Sequence, residues 1–85
     1  YDVQPADPLE EWASPPFEPQ VRGENLYARG AADDKGLVLI LIEAVRRLLE
    51  RDGRLPVNVK FLIEGEEESG GEHIEEFVQS RPVEL

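Results

Sequence analysis

The chain has 85 residues, with 9 Lys and Arg against 19 Asp and Glu, a formal charge of −10. So acidic a chain repels phosphate backbones and anionic bilayers, which sets nucleic acid and membrane surfaces aside as partners. It has no cysteine, hence no disulfide and no thiolate metal site, in keeping with a reducing, cytoplasmic setting, and its 40% hydrophobic residues are too many for a disordered acidic tail.

The first residues, Tyr1-Asp2-Val3-Gln4-Pro5, read as the end of a buried strand. The chain opens on Tyr and not Met, and the expectation is an excised piece of a longer protein. No signal-peptide pattern is present, and the longest apolar run, Leu37 to Ile42, falls well short of the ~20 residues that span a bilayer. Pro5, Pro8, Pro15, Pro16 and Pro19 predict an irregular loop, because Pro fixes φ and donates no backbone hydrogen bond. Trp12 and Phe17 are expected to pin that loop to a core.

Residues 20 to 28 predict a short hairpin, with Arg22-Gly23-Glu24-Asn25 as its turn. A polar connection leads into a helix from about Lys35 to Asp52, where Asp33 or Asp34 could cap the N-terminus and Gly53 suits the C-terminal end. Leu37 to Ile42 is apolar on every face and calls for cover on all sides, a second sign of missing chain. Val57 to Ile63 predicts a strand, and Glu72 to Gln79 a second helix with Ile74, Phe77 and Val78 inward. This order suggests an α/β unit with a crossover helix on a sheet.

In open α/β sheets ligands gather beyond the carboxyl ends of the strands. Asp2, the pair Asp33-Asp34 and the run Glu64-Gly65-Glu66-Glu67-Glu68 fall at such places. Carboxylates packed together repel one another unless a cation answers them, and hard oxygen donors suit divalent ions. A capping Asp pair and a solvated Glu loop are the plain alternatives. His73, the single His, reads as a solvent-facing or helix-edge residue, with metal ligation the minority case. Phosphate-loop, H-E-x-x-H, EF-hand and G-x-S-x-G patterns are absent.

Four stretches, in this order, resemble a known family. They are Tyr1-Asp2-Val3-Gln4-Pro5; Trp12 with Pro15-Pro16-Phe17-Glu18-Pro19; Leu26-Tyr27-Ala28-Arg29-Gly30-Ala31-Ala32-Asp33-Asp34-Lys35-Gly36; and Glu64-Gly65-Glu66-Glu67-Glu68-Ser69-Gly70. Together they resemble the di-zinc metallopeptidases that include carnosinase-type dipeptidases, aminoacylase and carboxypeptidase G, with the dipeptidase branch nearest in wording. The resemblance covers nearly the whole chain. It implies that residues 1–85 are part of a three-layer α/β/α zinc-exopeptidase-like catalytic domain with a mixed sheet, and that the lid and dimerisation domain is absent.

The resemblance also implies two divalent metal ions, zinc above all. Asp2 matches the acid that orients a metal-bound His, which would stand just before Tyr1. Asp33 matches the carboxylate that bridges both metals and is joined to Asp34 by a cis peptide. Glu67 matches the general base, and Glu68 a ligand of one metal. A further acid and a final His would follow Leu85. The implied activity is hydrolysis of the amide bond of dipeptides or short peptides by the parent protein, a homodimer through the missing domain. The 85 residues alone are expected to be inactive and to self-associate through their uncovered apolar surface. The alternatives are an amidohydrolase for N-acyl amino acids and a non-catalytic module whose acidic loop binds a cation or a basic partner.

Overall fold

The computed structural model describes residues 1–81, and proline dictates the character of its first quarter. Residues 1–19 hold no regular element apart from a single 3₁₀ turn, Leu9–Glu11. Trp12 is half-buried; its ring N–H donates to Ala6 O at 2.7 Å and Arg29 lies over its face at 5.1 Å. Ala6, beneath this contact, is the one buried hydrophobic residue among those described. Phe17 departs from expectation: it is 63% exposed and pins nothing, because no apolar layer lies across from it.

The hairpin forms as expected. Strand β1 (Gln20–Arg22) pairs antiparallel with β2 (Asn25–Tyr27), in the register Gln20↔Tyr27, Val21↔Leu26 and Arg22↔Asn25. From β2 the chain passes through a wide turn, Ala31–Lys35, closed by Lys35 N–H donating to Gly30 O at 3.0 Å. Helix α1 follows, Gly36–Asp52. Neither Asp33 nor Asp34 caps it, contrary to the capping alternative. Asp33 leaves helical geometry (φ −124°, ψ 99°), and the Asp34 carboxylate lies 3.8 Å from the Tyr1 amine instead. At the other end Gly53 adopts a left-handed φ of 70° and donates its N–H to Leu49 O at 2.8 Å, the C-terminal closure its position predicts. Arg46 forks between Glu43 and Glu50 on the polar face, which holds Glu43 below the ordinary carboxylate range through the Arg46 hydrogen bond.

Two expected strands do not form. Residues 1–5 and 57–63 are neither helical nor paired in a ladder, although their composition suits strands. A strand is defined by its neighbour, and the described residues place no partner strand alongside either segment. Val57, Phe61 and Ile63 are accordingly exposed. Helix α2, Glu72–Ser80, forms as expected, yet of its three apolar residues only Ile74 is half-buried, while Phe77 and Val78 stay exposed for want of a layer to face. Among the described residues, two α-helices and one two-stranded antiparallel sheet are compatible with an α/β class. No helix among the described residues is long and apolar enough to cross a membrane.

The molecule is a slab of 47 × 36 × 12 Å with a radius of gyration of 16.9 Å. A compact chain of this length has a radius near 12 Å. Its accessible surface, 7198 Å², compares with about 5,100 Å² for a compact chain of this mass. Exposed large hydrophobic residues run from Tyr1 to Val78, and in α1 they include Leu37, Leu39, Ile40, Leu41 and Ile42. What draws the slab's distant parts together is polar. The Tyr1 amine donates to Glu64 O at 2.8 Å, and Lys35 Nζ donates to Tyr1 O.

Candidate active site

These two bonds gather three stretches of chain: the N-terminal residues, the turn before α1 and the Glu-rich segment. Between them lies a hollow of about 360 Å³, lined by Tyr1 and six acidic residues, Asp2, Asp33, Asp34, Glu64, Glu67 and Glu68. All four residues singled out in the sequence, Asp2, Asp33, Glu67 and Glu68, therefore border one space. The Asp33–Asp34 peptide is cis, as the resemblance implied.

Gly30 permits the approach of the first two stretches. It is buried, its φ is +79°, and a Cβ there would stand 2.3 Å from Val3 Cγ1. Only glycine combines that backbone with that proximity. The Glu-rich segment turns at a 3₁₀ helix, Glu67–Ser69, closed by Ser69 N–H to Glu66 O at 3.0 Å and Gly71 N–H to Glu66 O at 2.8 Å. Glu67 and Glu68 are thus adjacent on a tight turn, and both line the hollow. Glu67 is exposed and Glu68 half-buried.

Asp2 ties the turn to the N-terminal stretch: its Oδ2 accepts the Glu68 N–H at 3.1 Å. Gln4 adds a second tie, donating from Nε2 to Glu68 Oε2 at 2.6 Å. The Tyr1 backbone nitrogen lies 3.8 Å from both Asp2 Oδ1 and Asp34 Oδ1. Six carboxylates around one small space repel each other, and a cation between them relieves the repulsion.

Their oxygens are the hard donors that divalent ions take, so the residues fit such an ion in kind. They do not complete its shell. Among the described residues no three acidic or imidazole groups converge on one point. His73 stands apart from the hollow. Its ring Nδ1 lies 2.8 Å from the Glu66 carboxylate, which also accepts the His73 backbone N–H at 3.3 Å. That bond raises the His73 pKa above its ordinary value and lowers that of Glu66. A larger hollow, about 680 Å³, runs between Phe61, Ile63, Ile74 and Phe77 on one side and Glu64, Glu66 and His73 on the other; there Glu66 and His73 are engaged with each other.

Gln4 and the Glu66–His73 pair escaped the sequence reading. Gln4 had one available signal, its place two residues from Asp2, since residues i and i+2 share a side of an extended chain. The Glu66–His73 pair had none, because it depends on how the turn at Gly70 and Gly71 folds back onto α2.

The description of peptidase family M20/M25/M40 matches residues 1–84 of the chain. The Beta-Ala-His dipeptidase of Homo sapiens is 50% identical over 80 residues, 92% of this chain and 15% of that protein. Its Rattus norvegicus counterpart is 48% identical over 80 residues, 92% of this chain and 16% of that protein. The succinyl-diaminopimelate desuccinylase of Methylococcus capsulatus is 42% identical over 67 residues, 79% of this chain and 18% of that protein. The chain thus spans less than a fifth of the length of these curated relatives. No solved structure matches the chain.

Proposed function

The chain belongs to peptidase family M20/M25/M40, and from that membership we propose that the protein carrying it is a metallopeptidase that hydrolyses the amide bond of dipeptides or short peptides. The observation that carries this reading is the meeting of Asp2, Asp33, Glu67 and Glu68 around one acidic hollow, from three stretches far apart in sequence. The relatives named Beta-Ala-His dipeptidase favour a dipeptide substrate.

In this reading Asp33 and Glu68 would be among the residues that hold two divalent ions, zinc in the first place, with further donors needed from elsewhere in the protein. When bound, such ions lower the pKa of a water and polarise the substrate carbonyl. Glu67 is the general base. Its carboxylate takes the proton of the attacking water and passes it to the amide nitrogen, so that the C–N bond breaks and the amine leaves neutral. Its exposure leaves it open to both water and substrate. Asp2 works from behind, holding the Glu68 backbone N–H and keeping the turn at the wall of the hollow.

A second reading, hydrolysis of N-acyl amino acids, is favoured by the desuccinylase relatives. The deciding experiment offers the full-length protein β-alanyl-histidine and an N-succinyl amino acid, with zinc and after chelation. Zinc-dependent release of histidine is expected, with kcat reduced about 10²–10⁴-fold in Glu67→Gln, the range that a lost general base accounts for. Turnover of the succinyl compound alone would establish the second reading. Full activity of Glu67→Gln would remove Glu67 from the chemistry.

A further inference from the structure

Glu68 is held at two points by a single stretch of chain. Its backbone N–H reaches Asp2 Oδ2 at 3.1 Å, and its Oε2 accepts from Gln4 Nε2 at 2.6 Å. The two partners stand two residues apart, and both are more than sixty residues from Glu68 in sequence. The geometry points to Gln4 as a positioning residue: it fixes the Glu68 carboxylate so that the other oxygen, Oε1, is presented to a divalent ion. This inference rests on the reading of Glu68 as a metal ligand given above.

The chemistry of the position favours an amide. A Glu side chain turns about three torsions, and a ligand that must first be immobilised binds its ion more weakly. A hydrogen bond to one carboxylate oxygen removes that freedom while the second oxygen stays available. Among the described residues Oε1 of Glu68 accepts no hydrogen bond. The donor must also be neutral. A Lys at position 4 would cancel the negative charge that draws a cation, and a Glu would offer no proton and add repulsion to the six acids already lining the hollow. Gln reaches as far as Glu and brings an N–H donor without adding charge. Partners behind the ligands of a metal orient them in this way, and losing one costs about 10- to 100-fold in affinity.

The test is a calorimetric titration of Zn²⁺ into the metal-stripped full-length protein and into four variants: Gln4→Met, Gln4→Ala, Glu68→Ala, and Gln4→Met combined with Glu68→Ala. Met keeps the length of the side chain and removes the donor. Gln4 is exposed, so thermal midpoints near the parent's are expected, and Gln4→Ala carries the comparison if Gln4→Met does not fold. Both Gln4 variants are expected to bind zinc about 10- to 100-fold more weakly. In the combined variant the loss should equal that of Glu68→Ala alone, since residues that act through one group are not additive. Parental zinc affinity in both Gln4 variants would overturn the inference while leaving the proposed function standing, and so would losses that add. A parent protein that binds no zinc would overturn both.

Discussion

Single residues set the site's geometry through glycine and its charge balance through pairs. Gly30 is the tightest point, with a left-handed backbone and Val3 Cγ1 where a Cβ would be. Gly30→Ala is expected to destabilise the protein by about 1–3 kcal/mol, the range for forcing atoms into a packed contact, and denaturant unfolding reads it directly. Because the clash lies between the N-terminal stretch and the turn carrying Asp33, the same variant is expected to weaken the proposed zinc binding before it loses its helices. The Glu66–His73 pair gives a pH expectation. The hydrogen bond from Glu66, then the charge of Glu66, raises the His73 pKa, and the His73 side-chain and backbone bonds lower that of Glu66. For His73, raised above its ordinary 6.5, the tie contributes fully below that pH and is lost as pH rises through the folded value. For Glu66, lowered below 4.5, it contributes fully above that pH and is lost as pH falls through the folded value. The tie is therefore complete between those two ordinary values. His73 is the chain's single His, so an NMR titration isolates it. Its midpoint should lie above 6.5 and fall back in Glu66→Gln; an unchanged midpoint would show that the pair does not form in solution.

At the level of elements, α1 joins two different kinds of helix. Its second half carries the Glu43–Arg46–Glu50 ladder and closes on Gly53, features of a helix whose polar face meets water. Its first half shows apolar side chains on every side. At Gly53 a Cβ would meet nothing within 4 Å, so the only obstacle there is the left-handed backbone. Gly53→Ala is expected to cost about 1 kcal/mol, the penalty for an L-residue in that region, and to fray the last turn without touching the acidic hollow. Thermal unfolding and zinc affinity measured together would separate these effects: the midpoint should fall and the affinity hold. The segment 57–63 shows the converse limit. Its residues suit a strand, but strand hydrogen bonds run to another strand, and the described residues provide none beside it.

The whole slab is too thin to bury what it carries. A 12 Å thickness is about one helix diameter, so α1 has room for a neighbour on one side at most. Each Leu or Ile left uncovered forgoes roughly 1.5–3 kcal/mol, and a few of them match the 5–15 kcal/mol that stabilises a whole domain. The 85-residue chain on its own is accordingly expected to self-associate at micromolar concentration. Its charge of −10 opposes this only over the 8–10 Å that physiological salt leaves unscreened. Sedimentation with an apolar dye reads the outcome, and a monomer that binds no dye would mean that the chain covers its own helix. The same chain is expected to hydrolyse no dipeptide, since two carboxylates do not complete a metal pair.

Both helices, the hairpin and the glycine stop at Gly53 were legible in the sequence, because each is governed by neighbours within a few residues: apolar spacing, turn residues, a backbone that only glycine adopts easily. Asp2, Asp33, Glu67 and Glu68 were singled out by the wording of four linked stretches. Composition alone left the Asp pair as a helix cap, and there local propensity pointed the wrong way. Only the tertiary structure decided that these acids share one hollow, that Gln4 reaches Glu68, and that His73 pairs with Glu66. Each of those facts depends on residues far apart in the chain being brought within hydrogen-bonding distance. No local pattern encodes such a distance, since a side chain's partner is set by how the backbone between them folds.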